Sequence, residues 1–139
     1  DCLVFPGQGP VACGMPELYF MTDTIAHNPR LANQVAVVTD GRFSGASTGW
    51  MVGHVSPESV CDGPIGLLQT GDTIEIDPVN QQINWVATPQ SPQLKVGQTL
   101  EQRQQQQQPQ TSQTCELLHP WLGLYQRQSC QAHQGATVF

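Results

Sequence analysis

Two short blocks of unbroken apolar residues stand out along the chain, CLVF at Cys2 to Phe5 and VAVVT at residues 35–39, each bounded by turn-forming residues. Apolar, β-branched runs of this length without polar alternation are the pattern of strands buried on both faces. Between them Leu18, Met21, Thr22 and Ile25 recur at helical spacing, with Pro16 and Glu17 in the first turn and Asn28-Pro29 as the stop. Strand, helix, strand is the predicted order, as in a βαβ unit. After the glycine-rich stretch at residues 41–49, MVGHVSPESV reads as loop or short helix. Farther on, DTIEID alternates apolar with polar, PVNQ supplies a turn, and INWVA can pair back as a hairpin. The patterning as a whole predicts a mixed α/β fold.

At Gln98 the pattern stops. EQRQQQQQPQTSQ offers no apolar residue to offset its ordering entropy, and it reads as a mobile loop or linker. The closing stretch recovers apolar content, with Leu118, Trp121, Leu122 and Tyr125 at helix-like intervals. The expected organisation is a core at residues 1–98, a Gln-rich linker at 99–114, and a terminal segment at 115–139 that packs back on the core.

Composition narrows the function classes. A chain of 139 residues fits one domain and is short for an enzyme that encloses a substrate alone. Its net charge of −6 and only five Lys and Arg argue against nucleic acid and acidic membrane surfaces. Charged residues make up 12%, against roughly 25% in ordinary domains, which suits a chain that has neighbours. No apolar run approaches the roughly 18 residues of a membrane span, and DCLVF lacks the shape of a signal peptide. The start without Met looks like the continuation of something longer, or a trimmed form. Cys2, Cys13, Cys61, Cys115 and Cys130 form no C-x-x-C pair and are odd in number, so neither a zinc site nor a closed disulfide framework is indicated. A cytoplasmic location is expected.

Chemistry is expected after VAVV, because ligands of α/β structures collect at the carboxyl ends of strands. Gly41, Gly45 and Gly49 let backbone approach a ligand, and Ser44, Ser47 and Thr48 supply hydroxyls. A helix beginning near Ser47 would add free N–H groups for an anion, or Ser47 or Thr48 would simply cap it. Glu17 is either a carboxylate favoured by a helix dipole or a ligand for a hard cation such as Mg2+. His54 is either an acid-base group or a hydrogen-bonded structural histidine. His27, His119 and His133 show no ligand spacing, and Asp40 with Arg42 suggests a local ion pair.

Taken together, GQGPVACGMPEL and VAVVTDGRFSGASTGWMVGHVSPESVCDGPIGLLQTGDTIEID closely resemble the carboxy-terminal domain of the dihydroxy-acid dehydratase and 6-phosphogluconate dehydratase family. The likeness runs from about Val4 to Val86, with TDGRFSG, GHVSPE and GPIGLL followed by GD as its most specific parts. It resumes at Tyr125, Ala132, Gly135 and Ala136.

The resemblance implies a swivelling β/β/α domain with a barrel-like sheet and flanking helices. It implies a hydro-lyase that removes water from a 2,3-dihydroxy acid to give a 2-keto acid, using an iron-sulfur cluster and Mg2+. By resemblance Ser44 is the serine that takes the C2 proton, Glu17 a Mg2+ ligand, and Gly45 with Ser47 part of the substrate contact. The cluster cysteines and remaining Mg2+ ligands would lie in a missing amino-terminal domain, so the chain alone is expected to be inactive and to bind no cluster. The complete enzyme would be a homodimer. GRFSGASTG and GHVSPE look closer to branched-chain dihydroxy-acid enzymes, whereas ELYFMTDTI leaves a sugar-acid (aldonate or 6-phosphogluconate) dehydratase open. A non-catalytic remnant serving as a binding or structural module is the competing class.

Overall fold

The computed structural model describes residues 1–89, 96–106 and 120–138. They fall into two compact units, Asp1–Gly66 with Gln110–Phe139, and Leu67–Pro109.

In the first unit, strands β1 (Cys2–Phe5), β2 (Ala36–Thr39) and β3 (Trp50–Val52) form a parallel sheet in the order β1-β2-β3. The register sets Leu3 beside Val37 and Val37 beside Met51. Central β2 carries the unbroken apolar run, and Val37 and Val38 are fully buried, as a strand with neighbours on both edges requires. β3 was not legible in the sequence. It has three residues, and its first, Trp50, is exposed.

Helix α1 (Pro10–Cys13) is a single turn that opens on a proline and ends at Gly14 in the left-handed conformation, φ 74°. Helix α2 (Tyr19–Ala26) buries Thr22 and Ile25, the positions that the periodicity assigns to the core. Its start differs from the sequence expectation, which placed Pro16 and Glu17 in the first turn. Glu17 instead forms an isolated parallel bridge with Arg42, and the Leu18 N–H donates to the Arg42 carbonyl at 3.2 Å. Backbone committed to a sheet-like pairing cannot also close a helical turn.

Helix α4 (Pro120–Gln128) packs on α1, and the Gln126 side chain donates to the Ala12 carbonyl. Of the positions that the apolar spacing assigns inward, Trp121 is 84% exposed and Leu122 half-buried, while Gln126 is buried; the Tyr125 side chain lies outside the described part. Leu118 and His119 lie outside the described residues.

The second unit contains the expected hairpin, β4 (Thr73–Asp77) antiparallel to β5 (Gln82–Ala87), with Ile76 opposite Ile83. Its Gln-rich stretch departs from the linker expectation, since helix α3 spans Val96–Gln106. Gln, Glu, Leu and Arg are all good helix formers. An anchor replaces the missing apolar face: Arg103 meets Asp72 at 2.6 and 3.0 Å, the Leu67 carbonyl at 2.8 Å, and the Trp85 ring at 4.7 Å. The rest of the tract, residues 107–113, lies outside the described residues.

The mixed α/β class holds, and no closed barrel appears among the described residues. None of their helices is long and apolar enough to cross a membrane.

Candidate functional site

Residues 40–49 join β2 to β3, parallel neighbours, without a helix. Ser44 sits on this crossover, half-buried. Its hydroxyl oxygen accepts the Ala46 N–H at 3.2 Å and its carbonyl accepts the Ser47 N–H at 3.0 Å, a small serine turn. No described residue accepts the Ser44 proton. The helix expected at Ser47 is absent, because the chain leaves this turn directly for β3. Ser47 instead donates its hydroxyl to Thr22 Oγ1 of α2 at 3.2 Å.

The glycines divide by purpose. A side chain at Gly41 would meet the Gln8 Cβ at 2.6 Å and its carbonyl at 2.8 Å, and Gly49 takes a left-handed φ of 102°. Both therefore serve the fold. Gly45 is exposed, and a Cβ there would meet nothing within 4 Å, so it alone leaves open space beside Ser44.

Glu17 is exposed, and no described residue pairs with its carboxylate. Two contacts join its segment to the one that carries Ser44. One is the Glu17–Arg42 bridge, the other the Ser47–Thr22 hydroxyl contact. The segments that carry Glu17 and Ser44 are thus joined at these two points.

Arg42 does not pair with Asp40, as the sequence suggested. Its Nε donates to the Met15 carbonyl at 2.9 Å. Asp40, fully buried at the end of β2, accepts the N–H groups of Gly7 at 2.9 Å, Gln8 at 2.8 Å and Ser59 at 3.0 Å. A second fully buried acid, Glu58, accepts the Val11 and Ala12 N–H groups, both at 3.1 Å, at the start of α1. Burial raises the Glu58 pKa against the pull of those N–H groups, and the Asp40 charge adds to the rise. Sequence reasoning missed Glu58. Its signal was an acid between a proline and a short apolar run, in a segment that otherwise reads as loop.

His54 is exposed, with its N–H bonded to the Gly41 carbonyl at 2.9 Å. His27 lies at the surface, 3.3 Å from Asp23.

As a hard-cation ligand, the free carboxylate of Glu17 is chemically suited, and it is one oxygen donor where Mg2+ needs about six. Burial raises the Cys2 and Cys61 thiol pKa values, and no three His, Cys, Asp or Glu side chains converge among the described residues. Cys115 lies outside them.

A parallel-stranded α/β module with an open hydroxyl turn and an unpaired carboxylate is the class that fold and site define. The family follows from comparison with known proteins. Residues 1–136 match the dihydroxy-acid/6-phosphogluconate dehydratase C-terminal family, and the chain belongs to it. It is 43% identical over 98 residues to D-xylonate dehydratase YjhG of Escherichia coli (strain K12), covering 68% of this chain and 15% of that protein. It is 53% identical over 78 residues to the dihydroxy-acid dehydratase of Pyrobaculum aerophilum, covering 55% of this chain and 14% of that protein. The chain thus spans about 15% of the length of these relatives.

Proposed function

We propose that the chain is the carboxy-terminal part of a hydro-lyase that dehydrates 2,3-dihydroxy acids to 2-keto acids, with dihydroxy-acid dehydratase as the preferred assignment. The observation that carries this is the Ser44 hydroxyl. It is half-buried, has its proton free, and takes a backbone N–H on its oxygen, beside open space at Gly45.

A serine works as a base only as an alkoxide, so its oxygen needs donors that favour the negative charge. The Ala46 N–H is one such donor. In the reaction Ser44, as the alkoxide, takes the proton from C2 as the C3–O bond breaks, and that proton passes to the departing hydroxide to complete the water that leaves. The resulting enol tautomerises to the 2-keto acid. Glu17 is one oxygen ligand for Mg2+, and Ser47 and the Gly45 backbone orient the acid. When bound, Mg2+ and the iron-sulfur cluster supply positive charge to the substrate oxygens. The cluster and the other Mg2+ ligands belong in this reading to an amino-terminal portion. The domain swivels against that portion with its barrel-like sheet, and the complete cytoplasmic enzyme is a homodimer. Alone, the chain is inactive.

A second reading, a sugar-acid dehydratase, is favoured by one observation: the likeness to the D-xylonate enzyme extends over 68% of the chain, against 55% for the dihydroxy-acid enzyme. Coexpression with the amino-terminal portion of a dihydroxy-acid dehydratase, followed by assay of 2-keto acid, tests the proposal. Turnover of a branched dihydroxy acid is expected to exceed that of D-xylonate, and Ser44→Ala is expected to lower kcat at least about 100-fold, the scale of a lost acid-base group. Turnover that survives Ser44→Ala would refute the assigned base.

A further inference from the structure

We propose that Arg42 is a positioning residue that holds the Glu17 segment against the Ser44 turn, an inference that rests on the dehydratase reading of the site. Arg42 ties the residues around Glu17 in two ways, through its backbone and through its side chain. Its backbone bridges Glu17 by accepting the Leu18 N–H on its carbonyl at 3.2 Å, and its Nε donates to the Met15 carbonyl at 2.9 Å. Glu17 is therefore fixed from both sides by one residue located two positions before Ser44.

The conformation being held is an unfavourable one. Met15 has φ 55°, in the left-handed region that a non-glycine residue rarely adopts, and Pro16 after it restricts it further. The Met15 N–H is held by the Gly9 carbonyl at 3.2 Å, and Arg42 holds its carbonyl, the side that leads on to Glu17. Backbone held this way beside a candidate ligand is the pattern of strain kept for function.

The use of the guanidinium also matters. Arg42 and Glu17 are register partners, yet they form no ion pair, and the guanidinium goes to a neutral carbonyl. Asp40 offers no alternative, since its carboxylate is occupied by three N–H groups. Arg42 thereby orders the segment while leaving the Glu17 carboxylate free for another cation.

The test compares Arg42→Met, which keeps the stem and removes the donor, with Arg42→Lys, which keeps a donor. Arg42 is exposed, so neither variant disturbs the core. Amide hydrogen exchange is read on the chain itself by NMR. In Arg42→Met the backbone acceptor of Leu18 stays in place, and the Leu18 amide is expected to exchange at least about fivefold faster because the segment loosens by the worth of the one lost bond to Met15, with Val38 unchanged. Arg42→Lys is expected to restore protection. Equal behaviour of the two variants, or no change in either, overturns the proposal. Failure of the coexpressed wild-type chain to turn over substrate would instead count against the dehydratase reading, and it leaves the exchange result intact.

Discussion

The first unit and the second solve the same problem, a buried acid, in opposite ways. Asp40 and Glu58 are satisfied by backbone N–H groups of the loop and single turn that follow β1, and in return they fix that backbone in place. Asp72 is satisfied by Arg103 and by the Gln69 N–H. What it fixes is a Gln-rich helix with little apolar surface of its own. Carboxylate to backbone gives loop geometry near the site, whereas carboxylate to guanidinium gives attachment of an element. The titration differs accordingly. At Asp72, burial pushes the pKa up, but the Arg103 and Gln69 hydrogen bonds and the guanidinium charge bring it below the usual carboxylate value. At Glu58, burial prevails and the pKa is raised.

Three substitutions break or sharpen this contrast. The largest effect is expected for Arg103→Leu, which leaves Asp72 buried without its cation. A loss of about 3–5 kcal/mol is expected in urea unfolding, as for other half-broken buried pairs, with α3 losing amide protection while Gly7 and Gln8 keep theirs.

Asp40→Asn comes next. Donors occupy both carboxylate oxygens, so the new amide NH2 must face an N–H whichever way it turns. About 2–3 kcal/mol should be lost, with increased exchange at Gly7 or Gln8 and none in the β4-β5 hairpin.

Glu58→Gln has the smallest effect, no more than about 1 kcal/mol at neutral pH, since Gln keeps one acceptor oxygen. Its value lies in the pH slope. Folding raises the Glu58 pKa, so the native state holds the proton more tightly than the unfolded chain. The contribution of this group to stability therefore falls as pH rises from the ordinary carboxylate range through the raised value. Asp72 runs the other way, its contribution being lost as pH falls through its depressed value. Removal of the Glu58 slope in the Gln variant, by thermal melts across pH, is the expected result; an unchanged slope would show that another group causes it.

The sequence was most legible where burial is two-sided and continuous. β1, β2 and the hairpin were all readable from apolar runs or alternation, because those patterns report directly on which faces water cannot reach. Trp50–Val52 was hidden because three residues with an exposed Trp make no run. The start of α2 was misplaced because Pro16 and Glu17 look helical locally and are claimed by a pairing with Arg42, distant in the chain. For the same reason the Asp40–Arg42 ion pair was a local guess that long-range backbone partners displaced. In the Gln-rich stretch, one side chain, Arg103, supplies an attachment that composition cannot show. At the candidate site, Ser44 and Glu17 could be named from residue type and resemblance, but the ties that draw their segments together are contacts across the chain.

The reach of Gln126 to Ala12 and of Gln131 to Glu58 has a consequence for the order of events during synthesis. Ala12 depends on a partner 114 residues farther along and Glu58 on one 73 residues farther, so neither contact can form until that later stretch has left the ribosome.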